Sequence, residues 1–382
     1  MLLSPSPPKL ESTTIREIQK DNTFQHIASF DGIRGFAAFL VLLHHGSYGF
    51  FHGGWIGVDL FFVLSGYLIT SLLQNEYNTT GKISISKFYA RRALRLLPPL
   101  LLVVLLANIF WPYTSHYPGA DQSTATLSAL LYFLNFIPDK VAGNLTHIWS
   151  LSVEEHFYLV WPFIAAWFFF KTSRRNRILF LSALILAGVA FRIYAFNSEI
   201  QLLNGLITVD AYRFTLCRID GILLGVLLSV ILNKPKYKNT TLPNTTATLF
   251  LAGLFIFFIT ILVAVGETNL YWRNGGFILT NIICAFTVFI AVKKPNHSFL
   301  TNKVLRWLGK RSYGIYMYHF PIFLVLENLR EPGNVSNLLT VTLLRFVASI
   351  VAAELSYRYL EQPILKLKKR YEVNKPEVAK AI

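Results

Sequence analysis

About ten apolar runs, most of them close to the length of a lipid bilayer, constrain this chain more than any other feature. They cover residues 28–50, 55–73, 94–113, 149–170, 178–196, 212–232, 245–265, 275–292, 313–326 and 338–359. A crossing helix needs about 20 mostly apolar residues. Inside lipid the backbone must satisfy its own hydrogen bonds, so such runs fold as helices. The expectation is an all-α, polytopic transmembrane helical bundle of about ten spans. The stretch 123–137 is apolar but short, and is expected to lie at the interface or to re-enter rather than to cross.

Charge supports this reading. Only 15% of the residues are charged, against roughly a quarter in soluble domains. Lys and Arg number 36 against 20 Asp and Glu, a net charge of +16. The basic residues gather at Lys82 to Arg95, Lys171 to Arg177, Lys234 to Lys238, Lys293 to Arg311 and Lys366 to Arg370. These clusters fall on alternate loops, whereas the loops at 114–122 and 198–209 are poor in Lys and Arg. The positive-inside rule then places both termini in the cytoplasm. Charge arranged this way suits an anionic membrane surface, not nucleic acid. The chain divides into a polar cytoplasmic tail (1–27), a membrane domain (28–365) and a basic cytoplasmic tail (366–382). The two cysteines, Cys217 and Cys284, make no metal-ligand or disulfide pattern.

Ionisable residues inside a span are functional candidates. The first span holds Asp31, Arg34, His44 and His45. Arg34 and His45 are about three helical turns apart, so they share a face at roughly 16 Å, while His44 points about 100° away. Asp31 is one turn before Arg34 and spaced to pair with it. The plain alternative is a snorkelling arginine and a packing histidine. Asp59, in the second span, either orients a histidine or sits at the interface. Arg91, Arg92 and Arg95 fall within about one turn and suit phosphate, although ordinary positive-inside charge also accounts for them. The fourth span opens with His147, Trp149, Ser150, Glu154, Glu155 and His156. Its carboxylates either touch an acceptor or simply favour a helix N-terminus. His319 is placed near mid-membrane, as a ligand contact or a helix–helix hydrogen bond. Arg358 and Glu361 are spaced as a structural pair.

Six segments in order resemble the membrane-bound acyltransferase-3 family, the O-acetyltransferases of bacterial surface polysaccharides. They are Asp31-Gly32-Ile33-Arg34-Gly35 with His45, Gly57 to Tyr67, Phe88 to Arg95, Trp149 to Leu159, Ser312 to His319 and Tyr357 to Pro363. His156 departs from the pattern, where the family more often has Gln. The resemblance implies acetyl-CoA as acyl donor, an Arg and a His of the first span needed for activity, and a bacterial inner (cytoplasmic) membrane. Many relatives carry a second, periplasmic hydrolase-like domain, for which this chain has no room.

The expected activity is therefore acyl-CoA-dependent O-acyl transfer. An acetyl group moves from cytoplasmic acetyl-CoA to a hydroxyl of a cell-surface or lipid-linked glycan, such as a lipopolysaccharide sugar. An alcohol is a poor nucleophile and needs a positioned base, a role assigned to His45. Arg34 is placed on the coenzyme, and Arg91, Arg92 and Arg95 on its phosphates. Glu154 supports the base or the acceptor. Asp59, Trp149, Ser150 and His319 are expected to join Glu154 around the substrate. No metal is expected, and the partners are membrane lipid, acetyl-CoA and the glycan acceptor. The rival class is a transporter or flippase for a lipid-linked sugar or a small anion, because intramembrane Arg, His and Asp suit a transport path equally well.

Overall fold

A computed structural model of the chain describes residues 27–114, 119–198, 200–202, 207–233, 242–264 and 275–371. Nearly all of the expected N-terminal tail, the cluster Lys234 to Lys238 and the C-terminal tail beyond residue 371 lie outside the described residues. Ten described helices have 17 residues or more. They are α1 (Ala28–Gly46), α2 (Ile56–Thr80), α3 (Ile85–Ile109), α5 (Trp149–Trp167), α6 (Arg174–Phe196), α7 (Thr215–Leu232), α8 (Asn244–Ala264), α9 (Phe277–Lys293), α10 (Lys303–Glu327) and α11 (Val335–Ser356). Each overlaps one of the ten apolar runs. The short α4 (Gln122–Leu130) lies between α3 and α5. Its nine residues span about 14 Å, too little to cross.

Among the described residues, six helices are long and apolar enough to cross a membrane: α2, α3, α6, α7, α8 and α11. The shorter α9 is also apolar. The remaining three, α1, α5 and α10, carry Arg34 and two histidines, two glutamates, and four basic residues respectively. Those polar side chains interrupt the apolar runs, and the same three helices contribute to the site described below.

Burial separates centre from periphery. In α2, 78% of the apolar window is buried, against 22% in the helix that starts with α11. Leu339, Leu343, Val347, Val351 and Leu355 of α11 are all about half exposed or more. Their four-residue spacing makes one apolar stripe facing outward, which a soluble bundle would fill with polar side chains. The chain is thus a multi-pass membrane protein with α2 at its centre.

Close helix contact depends on glycines at two crossings. A Cβ on Gly309 of α10 would overlap the Asp31 carbonyl of α1, and one on Gly66 of α2 would overlap the Ile222 carbonyl of α7. Small residues allow such backbone approach in lipid, where packing drives helix association. The first crossing aligns α1 with α10. The second seats α7 under α2.

Two local features differ from the sequence expectation. Within the stretch 198–209, β1 (Gln201–Leu202) pairs antiparallel with β2 (Ile207–Thr208). The expected Arg358–Glu361 pair does not form: Arg358 bonds Glu354, and Glu361 accepts from Ser356. A π-helical turn at Tyr357–Glu361 is the cause. Its wider i→i+5 winding rotates the following residues away from α-helical register. The last described residues form a 3-10 turn, Leu367–Tyr371, held on α3 by a hydrogen bond from Arg91 Nη1 to the Tyr371 carbonyl at 2.8 Å.

Candidate active site

A cavity of about 330 Å³ lies between α1, α2, α3, α5 and α10. It occupies the end of the bundle that holds the start of α1 and the end of α2, with Ile27 and Leu72 among its lining residues. Four cationic residues reach it: Arg34 from α1, Arg92 and Arg95 from α3, and Lys368 from the C-terminal turn. Glu154 is the one carboxylate among the described lining residues. Helical periodicity explains the pair from α3, because residues three apart share a face. Arg91, one step round the helix, points elsewhere and pairs with Glu76 at 3.2 Å. Of the three α3 arginines read from sequence, two therefore line the cavity and Arg91 does not.

Arg34 keeps the expected partner, with its Nη1 3.5 Å from Asp31 Oδ1. The guanidinium of Arg92 stacks 3.7 Å from the centre of the Tyr158 ring. The Tyr158 hydroxyl donates to Ser65 Oγ at 2.9 Å, and Ser65 donates to Glu154 Oε1 at 2.5 Å. Glu154 is thus held by a two-hydroxyl chain across α2 and α5. Ser65 and Tyr158 lie inside two of the six resembling segments, Gly57 to Tyr67 and Trp149 to Leu159, and had no role assigned from sequence. Tyr158 is four residues after Glu154, which was the available signal.

Ser150 and Tyr316 also line the cavity. The Tyr316 hydroxyl lies 2.6 Å from the His147 carbonyl and 2.5 Å from Ser150 Oγ. A carbonyl only accepts, so the Tyr316 proton goes to His147 and Ser150 donates to Tyr316. Beyond this pair lies a cluster of histidines. His45 and His319 approach at 3.2 Å through Nδ1 and Nε2. The His147 ring packs edge-on 5.3 Å from that of His319. His319 and His147 are buried, and His45 is half-buried. Arg34 and His45 therefore lie on the two sides of the Tyr316–Ser150 pair, with Arg34 on the cavity wall and His45 in the histidine cluster. His319, placed by sequence among the substrate-facing groups, stands beside His45 and does not line the cavity.

Asp59 and Trp149 belong to a different region. Asp59 is fully buried and pairs with Arg218 of α7 at 2.6 Å, which corrects its placement at the interface. Next to this pair, Arg192 of α6 grips Asp220 with both Nη atoms at 2.9 and 3.0 Å, and Asn281 of α9 donates to Asp220 at 3.2 Å. Rings of Phe277, Tyr212 and Trp149 lie 4.6, 5.0 and 5.3 Å from the Arg218 guanidinium carbon. Sequence reasoning missed this network. Three ionisable residues inside two apolar runs, Arg192, Arg218 and Asp220, were the signal for it.

In chemical terms the cavity suits an anionic ligand with amide or carbonyl groups, and the histidine cluster offers imidazole nitrogens for proton transfer. A family model described as an acyltransferase domain matches residues 27–355. The O-acetyltransferase OatA of Staphylococcus aureus (strain NCTC 8325 / PS 47) is 30% identical over 372 residues, which cover 94% of this chain and 60% of that protein. The putative peptidoglycan O-acetyltransferase YrhL of Bacillus subtilis (strain 168) is 30% identical over 368 residues, covering 90% of this chain and 56% of the relative. The chain thus spans up to about 60% of the length of these curated relatives. No solved structure matches it.

Proposed function

The chain belongs to the acyltransferase-3 family, and on that premise we propose that it moves an acetyl group from acetyl-CoA to a hydroxyl of a glycan. One observation carries the reading: a cation-lined cavity on one side of Tyr316 and Ser150, and a histidine cluster on the other. The relatives' names, O-acetyltransferase OatA and putative peptidoglycan O-acetyltransferase YrhL, support it.

The topology we propose has ten crossings with both termini in the cytoplasm of a bacterium, in its cytoplasmic membrane. The basic clusters on alternate loops support that orientation. It turns the cavity towards the cytoplasm, where the donor is, and the end of α1 that carries His45 towards the outer side.

Each group then has a role. Arg92, Arg95 and Lys368 hold the coenzyme phosphates at the cytoplasmic mouth, by charge-assisted hydrogen bonds. Arg34 sits further along the same wall and binds the coenzyme arm. Glu154, fixed by Ser65 and Tyr158, accepts from the amide groups of that arm. His45 takes the proton of the acceptor hydroxyl as the acyl group is transferred. A positioned base of this kind contributes about 10²–10⁴-fold.

Mass spectrometry of cell-surface glycans from cells with and without the gene tests the proposal. O-acetyl groups on one glycan disappear with the gene and return with the wild-type copy. Glycans that keep every acetyl group, while a solute or lipid-linked sugar stops crossing the membrane, favour the transporter class instead.

A further inference from the structure

The hydrogen bonds around the two closest histidines fix where their protons are. His319 Nδ1 lies 2.7 Å from the Tyr316 carbonyl oxygen. A carbonyl only accepts, so that nitrogen carries the hydrogen. A neutral His319 therefore presents a bare lone pair at Nε2. Facing it at 3.2 Å is Nδ1 of His45, which is also 3.2 Å from the Val41 carbonyl oxygen. Both of those partners are acceptors, so Nδ1 of His45 carries a hydrogen that they share. The lone pair of His45 is consequently on Nε2. His147 makes the useful contrast. Its Nε2 is 3.0 Å from the Met317 carbonyl oxygen, so it adopts the opposite tautomer and donates away from the pair.

We propose that His319 is a positioning residue for His45, and that the two imidazoles act as a dyad. This rests on the O-acyltransferase reading above. In the neutral pair, His319 and Val41 keep the hydrogen of His45 on Nδ1 and leave Nε2 free to act as the base. During transfer, the acceptor O–H bond breaks and its proton goes to His45 Nε2. The acceptor oxygen forms its bond to the acyl carbon, the carbon–sulfur bond breaks, and the sulfur leaves with the electron pair and takes the proton from Nε2. The imidazolium formed in between donates through Nδ1 to the Nε2 lone pair of His319. That shared hydrogen bond is stronger to a charged donor than to a neutral one, so it favours the step in which His45 is charged. The logic is that of a third group orienting a base, with an imidazole in the place of a carboxylate. A neutral partner suits this buried position, where a second full charge would be costly.

Two variants and a spectrum test the dyad. His319→Phe keeps a ring of similar size and removes the acceptor. His319→Gln keeps an acceptor oxygen and an N–H. Membranes containing the full chain are given radiolabelled acetyl-CoA, and label is counted in alkali-labile esters of the host glycan. The maximal rate of the Phe variant falls by about 10–100-fold, the size of loss seen when a metal-bound histidine loses its orienting partner. The acetyl-CoA concentration for half-maximal rate stays unchanged, and Gln recovers part of the rate. A packing role predicts the reverse order, with Phe active and Gln impaired, and that result overturns the proposal. Nitrogen-15 spectra of histidine-labelled wild-type protein give a readout independent of turnover: the dyad requires the Nδ1–H form of His45, and the Nε2–H form sinks it. His45→Ala separates the two levels. If it transfers acetyl normally, the catalytic reading itself fails. If it is inactive while His319→Phe is fully active, only the dyad fails.

Discussion

Two groups of intramembrane charge occur in this protein, and they behave oppositely. Around α2, α6, α7 and α9, Asp59, Arg218, Asp220 and Arg192 form two fully buried pairs, two carboxylates against two guanidiniums, enclosed by aromatic rings. Around α1, α3, α5 and α10, four cationic residues share a cavity with one carboxylate. The first set is balanced in charge and closed off by the rings around it. The second lines an open cavity with four cations and one carboxylate, although Arg34 also pairs with Asp31 outside the lining. A charged residue inside a membrane span is thus an incomplete sign of a site. The stronger sign is charge that borders a cavity.

The largest effects come from breaking the closed set. Arg218→Ala leaves Asp59 as a buried carboxylate without its cation, and loss of one partner in a buried pair costs about 3–5 kcal/mol. The expected result is a large fall in the yield of folded protein in detergent, with a lower melting temperature. Replacing both partners, Asp59→Leu with Arg218→Met, recovers much of that loss, because apolar replacements of a buried pair are often neutral. A double variant as unstable as the single one would give the network a role beyond pairing. Next in size is Gly309→Val. Its side chain meets the Asp31 backbone, and overpacking costs about 1–3 kcal/mol. Thermal unfolding of this variant should show a clear loss of stability, accompanied by reduced acetyl transfer.

Changes at the cavity should act on binding and leave stability nearly intact. Arg92→Ala is expected to weaken acetyl-CoA binding to purified protein by at least about tenfold, or about 1.4 kcal/mol, with the melting temperature close to wild type. A matching loss of stability would move Arg92 into the structural class. The smallest effect is expected from Lys368→Glu. At low salt it raises the acetyl-CoA concentration needed for half-maximal binding several-fold, and added salt shrinks the difference by screening. The same shift at every salt concentration would mean that the residue acts through the shape of the C-terminal turn.

Much of the bundle was legible in the sequence because lipid imposes a simple rule on the backbone. Each of the ten apolar runs is overlapped by a long helix. Helical spacing also anticipated the Asp31–Arg34 contact, and it grouped Arg92 and Arg95 with Arg91, which instead pairs with Glu76. The limits were equally physical. Spacing along one helix cannot show what a residue meets on another, so Asp59 was not matched with Arg218, 159 positions away. Nor could it show that Tyr316 and Ser150 stand between Arg34 and His45. The π-helical turn broke the register on which the Arg358–Glu361 pair depended. Lys368 was visible only as part of a basic cluster, because its place at the cavity comes from the C-terminal turn folding back on α3.

Incubating membranes that contain the full chain with radiolabelled acetyl-CoA, then counting label in alkali-labile glycan esters, tests the assignment of donor cavity and base most directly. Wild-type membranes should transfer label to glycan, and membranes carrying His45→Ala at equal protein level should transfer almost none. Equal labelling by the two, or movement of a glycan or solute with no labelling by either, would contradict it.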